Sequence, residues 1–216
     1  MIINEKTLSR EEEVFFRLEE DILSGFYKNG DTLTELAVCE RLGVSRTPVR
    51  SALLRLGEEG LISLTPNRRA VVIGVTREDI ADIYRIRIRL EGLASRTATE
   101  RLTEADKAEL KRQLELSEFY VSKGDTDSLR ELDTAFHGVI YRASGNRMLE
   151  KILSELHRKI RGYRKMSLSV PGRLDSSISE HREIYEAMIA RDAELADRLT
   201  KRHVERAMEN LLASNG

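Results

Sequence analysis

Residues 43–60, GVSRTPVRSALLRLGEEG, decide the fold of the first third of this 216-residue chain. Gly43 suits a left-handed turn, Ser45 suits a helix cap, and Pro48 suits a first helical turn, where its missing N–H costs little. A helix is therefore predicted to begin near Arg46. Its apolar residues recur at three- and four-residue spacing and form a buried stripe of Val49, Ala52, Leu53 and Leu56.

The same spacing leaves Arg46, Thr47 and Arg50 at the exposed start of this helix, with the two arginines on one face. A shorter helical pattern precedes it, from Thr34 to Leu42, and ends at Gly43. Two short helices joined by a tight turn, with Arg and Thr exposed at the start of the second, are typical of a helix-turn-helix that reads the DNA major groove.

Two short β-type runs follow, at Leu61–Leu64 and Ala70–Ile73, around a Pro-Asn turn. They predict a β-ribbon, or wing, that carries Arg68 and Arg69. A helical hairpin followed by a β-ribbon is often only a packing unit. The charge favours DNA binding instead, because six arginines are opposed by only two glutamates between Arg41 and Val75.

The stretch ELAVCERLGVSRTPVRSALLRLGEEGLI, residues 35–62, resembles the winged-helix signature of the GntR family of bacterial transcription regulators. The resemblance implies that Arg46 and Arg50 contact DNA together with the wing tip. This chain has Leu36 and Arg69 where the family commonly has an Arg and a Gly, so we expect a different operator. The full predicted DNA-binding set is Ser45, Arg46, Thr47, Arg50, Arg68 and Arg69.

The composition is that of a globular protein, with 40% hydrophobic and 34% charged residues. A net charge of −1 argues against indiscriminate coating of nucleic acid. It fits a small basic patch that a homodimer presents twice to a palindromic operator. Neither a membrane-length apolar run nor a secretory signal is visible, so we expect a cytoplasmic location.

The predicted fold class is mostly α, with a winged helix-turn-helix domain over residues 1–75 and an antiparallel all-α bundle of six helices over residues 76–216. The first domain adds a helix at 10–24, which a Ser9–Glu12 capping-box spacing introduces. Short connections between the later helices imply the antiparallel arrangement. Those helices are predicted at 77–100, 103–123, 126–144, 147–168, 173–190 and 192–214.

Three of the four histidines occupy inward positions of these helices. Asp133 and His137 lie one turn apart on the edge of one apolar stripe, while His181 and His203 lie on the stripes of two later helices. A single buried histidine is more often satisfied by a hydrogen bond than by a metal. Three of them with an aspartate favour a metal site if the helices bring them together.

The C-terminal half resembles the effector domain of FadR-type GntR regulators, the FCD domain. There a D-x-x-x-H motif on one helix and one histidine on each of two later helices bind a divalent ion. The resemblance implies Asp133, His137, His181 and His203 as ligands, and six helices suggest the shorter, VanR-like branch. One carboxylate and three imidazoles suit Zn²⁺ or Ni²⁺. His157 matches no ligand position and is interpreted as a boundary residue.

Arg87 lies in the middle of an apolar helix face, where pairing with Glu91 on the next turn is one interpretation. The other is an anion anchor that faces the metal. The resembling family has the motif Y-x-x-R-x-x-x-E, matched by Tyr84, Arg87 and Glu91, and its ligands are mostly small carboxylates. This resemblance implies that Arg87 binds the effector.

The leading hypothesis is a homodimeric repressor whose operator affinity changes when a small organic acid binds near the metal. A metal-dependent hydrolase is the alternative from another class, because an Asp/His₃ site with open positions activates water. It lacks an evident base, since Glu131 is predicted to point elsewhere and Glu180 lies beside His181 but off its stripe. A regulator with a purely structural metal is the third possibility.

Overall fold

A computed structural model of the chain describes residues 8–65, 69–160 and 172–213. Contacts divide the chain into two compact units, Met1–Thr76 and Arg77–Gly216. The predicted wing residue Arg68 lies outside the described residues, as does the end of the helix predicted over 147–168.

The described part of the first unit holds three helices and a three-stranded antiparallel sheet with β3 in the middle. Thr32 pairs with Val71 on one side of β3, and Ile62 pairs with Val72 on the other. The sequence did not predict β1, because two residues are too few to show a strand alternation. The elements are α1 (Arg10–Leu23), β1 (Thr32–Leu33), α2 (Glu35–Leu42), α3 (Arg46–Glu58), β2 (Ile62–Leu64) and β3 (Ala70–Val72).

Predicted caps form at the start of α1 and at both ends of α2. Ser9 and Glu12 form a reciprocal capping box at the start of α1. The Thr34 hydroxyl accepts a hydrogen bond from the Ala37 amide at the start of α2. Gly43 ends α2 with φ of 65°, a left-handed conformation that glycine adopts without strain. These caps fix the turn from α2 into α3.

One apolar core joins α1, α2, α3 and the sheet. It buries the predicted stripe of α3, and the opposite side of the first turns of α3 stays exposed. Because only one face of α3 packs against the core, the other face of its amino-terminal end is available to a partner. Phe15, Leu18, Val49, Leu56 and Ala70 are among its most buried members.

The second unit contains six helices within the described residues. Each begins and ends within one residue of its predicted boundary, except for the end of α7. A second capping box, between Thr103 and Asp106, starts α5. The helices are α4 (Arg77–Arg101), α5 (Glu104–Lys123), α6 (Thr126–Ala143), α7 (Arg147–Lys159), α8 (Arg173–Ile189) and α9 (Ala193–Ala213).

Helix α4 packs against α6, α7, α8 and α9, and α5 packs against α6 and α8. An apolar core fills part of the space between them, with Leu110, Phe136, Leu153 and Met188 among its buried members. Beside it lies a group of buried ionisable residues, which include all four histidines. Within the described part of the chain, no helix has the length and apolarity to cross a membrane.

Candidate metal centre and nucleic-acid interface

The amino-terminal end of α3 presents polar residues at the surface. Ser45, Arg46, Thr47 and Arg50 are all exposed. Ser45 occupies the N-cap position, but its side chain makes no capping hydrogen bond. The start of α3 and its cap residue thus offer two guanidinium groups and two hydroxyls, the donor set that contacts phosphates and base edges in a major groove.

Arg50 is held by the preceding helix. Its Nε donates a 3.0 Å hydrogen bond to Glu35 Oε1, and its side chain remains 52% exposed. An ion pair this exposed is worth less than about 1 kcal/mol. DNA can therefore compete for the guanidinium group at small cost.

In the wing, two hydrogen bonds join Thr65 to Arg69, the described residues on either side of positions 66–68. The Thr65 amide donates to the Arg69 carbonyl at 3.0 Å, and the Thr65 hydroxyl donates to the same oxygen at 3.1 Å. Arg69 is exposed. Its role in DNA binding, like that of Arg68, stays a prediction.

In the second unit, Asp133, His137, His181 and His203 come together from three helices. One possible ligand atom from each lies within 4.8 Å of all the others, and all four residues are buried. Nε2 of His181 lies 3.3 Å from Nε2 of His203 and 3.7 Å from Oδ1 of Asp133. The arrangement concentrates one carboxylate and three imidazoles around a single point.

Glu180 fixes the His203 ring from behind. Its Oε2 lies 2.7 Å from His203 Nδ1, which leaves His203 Nε2 directed at His181. The carboxylate also accepts 3.0 Å hydrogen bonds from Arg173 and Arg206. Although burial would raise the pKa of Glu180, contact with His203 and the charge of Arg173 lower it to about 2. Burial lowers the pKa of His203 to about 4, so its imidazole is neutral at pH 7, as a metal ligand must be.

A second carboxylate stands behind His137. Oε2 of Glu91 lies 3.0 Å from His137 Nδ1, at ion-pair distance but not aligned as a hydrogen bond. Oε1 of Glu91 accepts a 2.6 Å hydrogen bond from Arg87 Nε. Burial would raise the pKa of Glu91, but the charge of Arg87 and the neighbouring His137 hold it well below its ordinary range. The interior therefore contains an ionised Glu91 next to a charged Arg87.

The residues at the point of convergence fit a divalent ion. His137 Nε2 is buried and makes no hydrogen bond to the part of the chain that the structure describes. A buried polar atom without a partner is costly, and a metal ion would satisfy it together with the other three donors. Three nitrogens and one oxygen favour Zn²⁺ or Ni²⁺ over Mg²⁺ or Ca²⁺.

His157 is not the boundary residue that its position beside an apolar stripe predicts. It is 4% exposed, and its ring centre lies 5.5 Å from that of His137. Its Nδ1 lies 3.3 Å from the Tyr141 hydroxyl. Burial, with the nearby charge of Arg87, lowers the pKa of His157 well below its ordinary value. The prediction failed because neighbouring helices bury a wider face of α7 than its leucine stripe alone.

His157 and Tyr141 also line a cleft of about 730 Å³ between α6 and α7. This volume lies within the range of small-molecule sites. Gly138 lies along the same cleft, and a Cβ added there would have no atom within 4 Å apart from its chain neighbours and the nearby backbone of its own helix. Arg130 and Arg158 contribute positive charge to the lining, while Asp127 and Glu131 contribute negative charge.

Two family models match the chain. The model of the FCD domain matches residues 82–206, more than half of the chain, and the model of "Bacterial regulatory proteins, gntR family" matches residues 10–72. The chain belongs to the GntR family. This GntR-family protein is a DNA-binding transcription regulator with an FCD domain.

Known relatives agree with this assignment. The regulator is 29% identical over 197 residues to "Uncharacterized HTH-type transcriptional regulator YdhC" of Bacillus subtilis, covering 90% of this chain and 88% of that protein. It is 32% identical over 161 residues to the "Gluconate operon transcriptional repressor" of B. subtilis, covering 73% and 64%. The structure of E. coli McbR/YncC superposes with a TM-score of 0.81 at 27% identity, covering 97% of this chain and 100% of that one.

These relatives are transcription regulators and not enzymes, and so is this GntR-family protein. The hypothesis of a metal-dependent hydrolase is therefore wrong. Glu180, which the sequence places beside His181 but off its stripe, contacts His203 directly.

The predicted effector residue Arg87 is buried and paired with Glu91, as one of the two interpretations of the sequence has it. The pair does not use all of its donors, since Arg87 Nη1 is buried and makes no hydrogen bond to the described residues. The anchor role stays a prediction, as do the metal-binding and DNA-binding roles of the other residues and the VanR-like branch.

Proposed function

We propose that this GntR-family protein is a homodimeric repressor whose affinity for a palindromic operator is controlled by a small carboxylate. The carboxylate binds near a divalent ion held by Asp133, His137, His181 and His203. The observation that carries the proposal is the convergence of these four buried side chains beside a cleft, in a chain that also has exposed arginines on a helix-turn-helix.

The ion would supply a positive charge and open coordination positions to an oxygen ligand. The protein's own residues would orient that ligand. Tyr141 and His157 line the cleft and contact each other, and Tyr141 lies close enough to Glu91 and Arg87 for both charges to affect its pKa. We expect a carboxylate that enters the cleft to contact Tyr141 and His157, with the charge of Arg87 close to Tyr141.

The DNA half of the proposal rests on Arg46 and Arg50. A dimer presents the pair twice, so its preferred site is two half-sites whose spacing matches the distance between the recognition helices. An effector that changes this distance changes operator affinity without a contact to DNA. Release of the operator on carboxylate binding is the expected response.

Selection from a random DNA library, followed by a titration of the selected operator, tests the proposal. We expect a palindromic consensus, an affinity that falls steeply with salt, and a further loss of affinity when the right carboxylate is added to metal-loaded protein. Selection of no consensus contradicts the operator part. Thermal shifts distinguish this proposal from a regulator whose metal is purely structural. A structural metal raises the melting temperature, but no carboxylate raises it further.

A further inference from the structure

We infer that Glu180 is a positioning residue for the metal centre, which orients His203 and is itself held by two arginines. The inference rests on the proposed metal site and deepens it. Glu180 is not one of the four predicted ligands, and the helical pattern places it beside His181 but off the apolar stripe.

Geometry separates Glu180 from the ligands. Its Oε2 approaches the Nδ1 side of the His203 ring at 2.7 Å, whereas the convergence point lies on the Nε2 side. One imidazole cannot present both a lone pair and an N–H at the same nitrogen. A hydrogen bond from Nδ1–H to Glu180 therefore places the lone pair on Nε2, the tautomer that a metal requires.

The neighbours of Glu180 keep it ionised and in place. Arg173 Nη1 donates to Oε2 and Arg206 Nη1 donates to Oε1, each at 3.0 Å. Arg173 is buried, while the Arg206 side chain is 46% exposed. Because both carboxylate oxygens already accept hydrogen bonds, the Glu180 side chain loses little further conformational freedom when it binds the imidazole.

The position of Glu180 in α8 explains how one helix supplies both a ligand and its support. His181 and Glu180 are adjacent, so they leave the helix about 100° apart. Both are buried because α8 packs against α4, α5 and α9. His181 then faces Asp133, while Glu180 reaches His203 on α9.

The test measures Co²⁺ affinity of the full chain by competition with a chelator, together with the visible absorption spectrum of bound Co²⁺. For Glu180→Gln, which keeps size but loses charge, we expect binding weakened about 10- to 100-fold and an altered spectrum. Glu180→Asp keeps the charge and should recover part of the affinity. Glu209→Gln is the matched control, because Glu209 is exposed and lines the same surface depression as Glu180 without contacting a histidine.

A purely structural Glu180 would change the melting temperature of the metal-free protein but leave the Co²⁺ spectrum as it is. An affinity and spectrum of Glu180→Gln that match the unaltered protein overturn the inference. If Glu180→Gln does not fold, Glu180→Asp decides, since a shortened carboxylate that binds Co²⁺ with unchanged affinity and spectrum overturns it equally. A failure of the unaltered protein to bind Co²⁺ is a different result, which overturns the metal centre itself.

Discussion

His137 and Glu91 lie side by side in the interior of the helical unit, with Nδ1 of the histidine 3.0 Å from Oε2 of the glutamate. The other oxygen of Glu91 is bound to Arg87. One carboxylate thus connects the predicted effector anchor to a predicted metal ligand. A ligand that draws Arg87 away from Glu91 would change the surroundings of His137, which gives the two proposed sites a physical means of influencing each other.

The buried pair predicts that Arg87→Met destabilises the metal-free protein by about 3–5 kcal/mol, because it leaves Glu91 charged without its cation. The double variant Arg87→Met with Glu91→Leu removes both charges and should recover most of that loss. Urea unfolding followed by circular dichroism measures both. Equal stability of Arg87→Met and the unaltered protein would show that the pair does not stabilise the fold.

The exposed start of α3 predicts that Arg46→Ala combined with Arg50→Ala abolishes specific operator binding. Each guanidinium that contacts a base pair contributes roughly 1–3 kcal/mol of discrimination. Fluorescence anisotropy with the selected operator measures the effect. Arg10→Ala is the control, since Arg10 is exposed and pairs with Glu13 on α1. Unchanged operator affinity in the double variant would remove the assigned role of α3.

Gly138 predicts a way to close the cleft without altering the proposed metal ligands. A side chain at this position meets open space, so Gly138→Leu should fold, keep its metal content and lose the thermal shift with the active carboxylate. Gly138→Ala adds only a methyl group and should keep the shift, with a gain of about 0.5–1 kcal/mol from helix propensity. A full carboxylate response in Gly138→Leu would place the effector elsewhere.

The buried His157 predicts loss of stability in mild acid once the metal has been removed with a chelator. Burial lowers its pKa in the folded protein, whereas in the unfolded chain it takes up a proton near pH 6.5. Below about pH 6.5 the unfolded state therefore holds more protons, and acid favours it by up to about 1.4 kcal/mol per pH unit for one such group. Arg87, Glu91, His137 and Tyr141 surround it.

Urea unfolding at pH 7.5 and 5.5 measures this effect. His157→Gln should show a shallower loss of stability between the two pH values, because it removes one of the buried imidazoles. A variant with the same pH dependence as the unaltered protein would contradict the assignment of that loss to His157.

The sequence predicted the helices of the bundle closely because their ends carry explicit signals. Thr103 with Asp106 starts α5, and Gly124 ends it with φ of 68°. Strand β1 carries no comparable signal, since its two residues form a strand only by pairing with β3. Local sequence patterns predict secondary-structure elements that nearby residues stabilise. They miss a strand that forms only by pairing with another strand.

The four proposed ligands were predictable because each lies on or beside an apolar stripe, at positions that match a known motif. His157 and Glu180 were not, since the helical period places both beside those stripes. Their burial comes from packing of α7 and α8 against several helices at once. The sequence did contain one signal for Glu180, which directly precedes His181. A carboxylate next to a predicted metal ligand is a candidate for orienting a ligand of that site.

Elemental analysis of the native protein, purified without added metal, tests the metal centre most directly. We predict about one divalent ion per chain, Zn²⁺ or Ni²⁺, in the unaltered protein and close to none in a variant that combines His181→Ala with His203→Ala. An unaltered protein without a bound ion, or a double variant that retains it, would contradict the account.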